Sequence, residues 1–263
     1  MKSIVLVKYV PDSNSVFRIN SDNTWIDTSN LSFVLNDYDR YALESLLTLK
    51  DNGSVTEVVA LTVGPSQVGS VLRTCLAMGA DRAIHVNNDP LYGTDPLTVA
   101  RLIVAAIKQE GFSLVLAGLQ ADDDNHTQVG GLVAGLLDYS FASAAMELEL
   151  LNEKTLRVNR ELINNELEVV DLTLPSVVTI QTGINIPRYA SLKGIMAAKR
   201  KPFVTLSSAD LDNEQKDEEN STKLQTVSFK SPPIGKGADI LSGTPEEIAR
   251  QLLSHIREKT GVF

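Results

Sequence analysis

The stretch LVLAGLQADDDNHTQVGGLVAGLL, Leu114 to Leu137, decides the fold. Its opening residues, Leu114 to Ala117, form a short, wholly apolar run, the pattern of a strand buried on both faces of a parallel sheet. Its closing residues, Gln128 to Leu137, carry apolar side chains at three- and four-residue spacing and predict a helix. Working outward, similar apolar runs recur at Ile4 to Val7, Val58 to Val63 and Ala83 to Val86. Helical spacing fills the gaps, over Tyr38 to Lys50, Ser66 to Met78 and Asp95 to Glu110. Strands alternating with helices predict right-handed crossovers and an α/β fold on a doubly wound, mostly parallel sheet.

From about Phe141 the rhythm changes. Thr155 to Glu161 and Glu166 to Leu174 alternate in polarity around Asn164 and Asn165, residues that tolerate left-handed turns, and predict an antiparallel hairpin extension. Ser176 to Thr182 adds one more strand. Ser207 to Ser231 is polar, acidic and poor in aromatics, and Asn213 to Asn220 is almost wholly charged or amide, which suits an exposed linker. Thr244, Pro245 and Glu247 then supply an N-cap, a first-turn proline and a capping-box glutamate before Ile248, Leu252, Leu253 and Ile256. That C-terminal tethered helix is amphipathic, and its apolar stripe could fold back on its own domain or dock on another chain. The expected domains are 1–206, an extended linker arm at 207–243, and the helix at 244–263.

Twenty-four Lys and Arg against 33 Asp and Glu give a formal net charge of -9, which argues against nucleic acid or an anionic membrane as partner. The single cysteine, Cys75, and three scattered histidines show no disulfide or zinc spacing, so the chain is expected to be reduced, intracellular and metal-free. No apolar run approaches the roughly 20 residues needed to cross a bilayer, and Met1 to Val10 run into the first strand without a leader pattern. A cytoplasmic location without membrane insertion follows as the expectation.

In an open parallel sheet, ligands bind beyond the carboxyl ends of the strands, where helix N-termini offer unpaired backbone N–H groups. Four segments fall there: Lys8 to Asp12, Asn36, Gly64-Pro65, and the loop Gly118 to Gly131. A phosphate at the start of the following helix would be held by backbone N–H groups and the Thr127 hydroxyl, without a lysine. Asp122, Asp123 and Asp124 could instead only cap that helix, since carboxylates favour the same end. There is no P-loop, no GxGxxG after the first strand and no GxSxG elbow, so binding features stand without a catalytic constellation. Pro187 to Pro202, PRYASLKGIMAAKRKP, joins exposed-type apolar residues to a basic cluster at Lys199, Arg200 and Lys201. It fits either a solvated helix end or a protein-docking patch.

At that run the sequence resembles a known family. Val177 to Pro202, VVTIQTGINIPRYASLKGIMAAKRKP, is similar to the signature of electron-transfer flavoprotein beta subunits. The resemblance extends through VKYVPD (Val7 to Asp12), LNDYDRYALE (Leu35 to Glu44), ALTVGP (Ala60 to Pro65), RTCLAMGADRAIHV (Arg73 to Val86) and AGLQADDDNHTQVG (Ala117 to Gly130). It implies an adenine-nucleotide-hydrolase-like, Rossmann-like fold and an electron-carrier subunit rather than an enzyme, with no catalytic residues. The implied partner is an alpha subunit that holds the redox FAD; the heterodimer shuttles electrons from flavin dehydrogenases, such as acyl-CoA dehydrogenases, to a quinone oxidoreductase or another acceptor. The beta subunit itself is implied to hold a structural AMP. By motif, Leu6, Lys8, Asn36, Val63 and Gly64 would surround the adenosine, and Asp123, Asn125, Thr127, Gln128, Val129 and Gly130 the phosphate. Tyr38 would lie nearest the partner's flavin, while Pro187, Arg188, Tyr189, Leu192, Ile195 and Met196 would form the docking loop, with Leu192 as the anchoring leucine.

Two departures qualify the match. Gln120 to Gly131 reads QADDDNHTQVGG, which shares Asp124 with the AMP type, QAIDDDCNQTGQ, and Val129-Gly130 with the bifurcating type, QAIDGDTAQVGP. Asp124 stands where the bifurcating type has glycine, which favours AMP over a second FAD. Ile186 stands where the signature has Glu. The alternatives are an FAD-holding beta subunit of a bifurcating complex that uses NADH, and a stand-alone adenine-nucleotide sensor resembling universal stress proteins.

Overall fold

The computed structural model describes residues 1–89, 94–207, 211, 224, 226–233, 235 and 237–261. Compact packing divides the chain into Met1–Phe229 and Lys230–Phe263. The first unit contains β1 (Lys2–Leu6), β2 (Tyr9–Pro11), β3 (Phe33–Leu35), α1 (Asp37–Asp51), β4 (Glu57–Gly64), α2 (Gly69–Met78), β5 (Arg82–Asn87), α3 (Pro96–Lys108), β6 (Leu114–Gly118) and α4 (Val129–Leu137). It continues with β7 (Ser140–Asn152), β8 (Thr155–Glu161), β9 (Leu167–Thr173), β10 (Ser176–Ile180), α5 (Leu192–Ala198) and β11 (Phe203–Ser207). The second unit contains α6 (Pro245–Thr260).

Among the described residues the main sheet has nine strands in the order β11-β5-β4-β1-β6-β10-β7-β8-β9. Every pairing from β11 to β7 is parallel, and β8 and β9 continue the sheet antiparallel. The period of two along a strand sends alternate side chains to opposite faces. Val5, Val58 and Ala60 therefore pack with α1 and α2, whereas Ile4, Leu6, Val59 and Leu61 pack with α3 and α4. Both faces are covered, which is why the strands read as unbroken apolar runs. The chain winds from β1 outward through β4 and β5, then returns to the other side of β1 with β6. That reversal puts the topological switch point at the carboxyl ends of β1 and β6, where open α/β sheets bind ligands.

Several elements differ from the sequence expectation. Ser140 to Asn152 is a 13-residue strand pairing with both β10 and β8, where only a change of rhythm was visible. A second sheet pairs β2 with β3 and stacks Tyr9 on Phe33. Phe203–Ser207 adds an edge strand beside β5. The hairpin turn is as expected, with Asn164 left-handed at φ 67°. The linker stretch Asn213 to Asn220 lies outside the described residues. In α6 the Thr244–Glu247 capping box is present, and no residue of that helix is buried. Among the described residues no helix is long and apolar enough to cross a membrane, and none of their His, Cys, Asp and Glu side chains gather in a metal-holding group.

Candidate functional site

A buried carboxylate joins the two strands at the switch point. Asp39, in the first turn of α1, accepts hydrogen bonds from Lys8 N at 2.7 Å and Gly118 N at 3.0 Å. It thus ties the end of β1 to the end of β6. A Cβ at position 118 would collide with Asp39 Oδ1 and the Tyr38 backbone, so only glycine allows this approach. Burial pushes Asp39 up to about 7, against the backbone and Asn36 donors, which pull it down. Asn36 extends the seam: its Nδ2 donates to Gln120 O at 2.9 Å, and its Oδ1 accepts from Asp122 N at 3.1 Å.

The acidic loop after β6 is not a helix cap. Lys8 Nζ donates to Asp123 Oδ1 and Asp124 Oδ2, each at 2.7 Å. Asp122 Oδ2 accepts from Asp37 N at 3.2 Å. Burial pulls Lys8 down, but the two carboxylates outweigh it and the net direction is up. Burial also dominates at Asp123, whose net direction is up; at Asp124 burial is outweighed by Lys8 and by the His126 N–H, and the net direction is down. With all three carboxylates held elsewhere, no side chain caps α4. By contrast Asp95 caps α3, accepting from Leu97 N and Thr98 N. The first turn of α4 therefore keeps backbone N–H groups without a side-chain acceptor, at the positive end of the helix dipole.

The loop holds that end open at a cost in backbone strain. Asn125 has φ 51° and Thr127 φ 53°; for a β-branched residue such as Thr127 this is an outlier costing about 1–3 kcal/mol. The Thr127 hydroxyl donates to His126 O at 2.7 Å. Gly130 lets the first turn of α4 sit against Thr179 of β10, because a Cβ there would collide with the threonine methyl.

A cavity of about 420 Å³ opens at this switch point, within the range of about 300–1,000 Å³ usual for small-ligand sites. Of the residues named from sequence, Leu6, Lys8, Asn36, Val63, Asp123, Thr127, Gln128, Val129 and Gly130 line it. Tyr38, Gly64 and Asn125 are not part of the lining. Tyr38 OH instead accepts from Gln120 Nε2 at 3.2 Å, and Gly64 O meets His85 Nε2 at 2.8 Å. Asp39, Trp25, Asp95 and Phe229 line the cavity and were not singled out from sequence. One signal existed for Asp39: it shares a helix stripe with the buried Ala42, Leu43 and Leu46.

The segment expected to dock partners divides into a base and a face. Arg188 belongs to the base: its guanidinium forks onto Glu44 and reaches Asp51 Oδ2 at 2.8 Å. Glu44 and Asp51 hold Arg188 above the usual guanidinium range despite partial burial. Lys201 donates to the Leu76 and Ala80 carbonyls at the end of α2, and Gly194 lets α5 close on the Ala77 carbonyl. Pro187 is half-buried, whereas Tyr189 is 91% and Leu192 83% exposed, with Ile195 and Met196 exposed beside them. Four apolar side chains are thus presented on a pinned support.

Fold, cleft and cavity define a doubly wound α/β protein with a ligand-sized chamber at its switch point. The family model described as the electron transfer flavoprotein domain matches residues 24–211, and the chain belongs to that family. It is 39% identical over 252 residues to the electron transfer flavoprotein subunit beta, mitochondrial, of Oryza sativa subsp. japonica, covering 95% of this chain and 97% of the relative. The subunit beta of Methylophilus methylotrophus is 34% identical over 263 residues, 99% of this chain and 100% of the relative. The human subunit beta is 36% identical over 254 residues, 96% of each. Proteins of this name are electron carriers rather than enzymes.

Proposed function

We propose that this chain is the beta subunit of a heterodimeric electron-transfer flavoprotein and holds AMP in the switch-point cavity. The observation that carries the reading is the first turn of α4, left without a side-chain cap beside three carboxylates that are all tied elsewhere. Its N–H groups suit a phosphate, and the apolar Leu6, Val63 and Val129 suit the base and ribose edges. The FAD, carried mainly by the alpha partner, supplies the electron-carrying chemistry when bound. This chain's part is to hold the nucleotide, place Tyr38 toward the partner, and present the 189–196 face to flavin dehydrogenase donors. The acceptor would be a quinone oxidoreductase or an equivalent protein. Cytoplasmic placement belongs to the proposal as well, since some relatives are named mitochondrial. A stand-alone nucleotide sensor would have no use for the exposed apolar face on its pinned support.

Acid release and chromatography of the cofactors from the co-expressed heterodimer is the test: one FAD and one AMP is the expected yield. Two FAD would favour the bifurcating alternative, for which the shared Val129-Gly130 speaks. Thr127→Ala together with Gln128→Ala should weaken AMP retention by roughly tenfold, the scale of lost polar contacts; full retention would move the phosphate elsewhere. Leu192→Ala should slow reduction by a dehydrogenase roughly tenfold, as for an exposed anchor residue, with AMP content unchanged. Normal transfer with altered AMP content would refute the docking role.

A further inference from the structure

One wall of the cavity comes from outside the sheet and its helices. Trp25 lines it together with Leu224, Thr226 and Phe229, residues distant in sequence. Phe229 meets Trp25 edge to face, with ring centroids 4.9 Å apart and planes at 82°, a favoured aromatic geometry. Phe229 N also donates to Asn23 O at 2.7 Å. The post that carries Trp25 is a tight turn: Ile19 and Ile26 bridge antiparallel, and Asn23 is left-handed at φ 55°. Asn20 N donates to Trp25 O at 2.9 Å, while Asn20 Oδ1 accepts from Thr24 N and Trp25 N. The returning segment has little depth of its own, since Val227 is exposed. It is anchored where Phe229 meets the post.

We propose that Trp25 and Phe229 are positioning residues of the nucleotide site, a clasp that holds Leu224, Thr226 and Phe229 against the cavity and slows exchange of the bound nucleotide. The inference rests on the reading of the cavity as a mononucleotide site. Phe229→Ala in the purified heterodimer should exchange bound AMP for radiolabelled AMP about tenfold faster, the rate equivalent of one edge-to-face aromatic pair. Trp25→Ala should do the same, the double variant should be no faster than the faster single variant, and Phe229→Tyr should stay near wild type. Retention of the partner's FAD should not change in any of them, which separates a local clasp from loosening of the whole subunit. If the bound nucleotide is FAD, the same exchange is run with FAD and the same ratios are expected. Unchanged exchange in both single variants, additive effects in the double, or parallel loss of the partner's FAD would each overturn the clasp while leaving the nucleotide reading intact. A wild-type heterodimer that retains no nucleotide would overturn both.

Discussion

Asp39→Ala is expected to lower stability by about 2–4 kcal/mol, because the partly buried N–H groups of Lys8 and Gly118 both lose their acceptor. The loss falls on the seam between β1 and β6, so nucleotide content should drop with it. Denaturant unfolding and cofactor release measure the two effects.

The same residue gives a pH dependence of defined sign. In the native state Asp39 is pushed up to about 7 by burial, above the roughly 3.9 of an unfolded aspartate. Folding therefore takes up a proton at this position between those values. The associated stability is full below about pH 4 and is lost as pH rises through about 7. The stability advantage of wild type over Asp39→Asn should shrink from about pH 5 to about pH 8; a constant advantage across that range would mean that the carboxylate stays ionised.

Arg188→Ala is the second large effect. It leaves Glu44, nearly buried, without the guanidinium that forks onto it. Orphaning a buried charge is strongly destabilising, but Arg188 is partly exposed and water screens the pair, so the expected loss is about 2 kcal/mol. Adding Glu44→Gln should restore part of it, because the stranded charge is gone. Electron uptake from a dehydrogenase should fall in the single variant as the support under Tyr189 and Leu192 loosens. An Arg188→Ala protein as stable as wild type would show that the residue is not an anchor.

The sheet was legible because burial on both faces writes itself into composition: Ile4 to Val7 and Leu114 to Ala117 contain no polar residue. The alternation with helices pointed to a doubly wound, mostly parallel sheet, but not to the order of its strands. Strand β7 was not legible, since Ala144, Ala145, Met146 and the Glu-Leu alternation after them carry helix-type propensity that strand pairing overrides. The loop after β6 was visible as a site, yet the destinations of its carboxylates were not. Lys8 lies far from Asp123 in sequence, and only the parallel register of β1 with β6 brings the loops after them together.

Two further residues show where linear reading stops. Arg188 lies in a motif whose neighbours are exposed, but its own guanidinium turns inward to α1, a choice fixed by Glu44. Trp25 sits in a polar stretch with no periodicity, and its meeting with Phe229 depends on the return of a distant segment. Local pattern carries neither.

Strand β9 ends the row of nine with its outer backbone unpaired within the sheet. Leu167 and Val169 along it are 62% and 58% exposed. Such a border is a template onto which a second polypeptide can add by main-chain pairing. Asp171 of β9, paired with Arg157 of β8, puts charge on that margin, one of the means by which native sheets discourage such pairing.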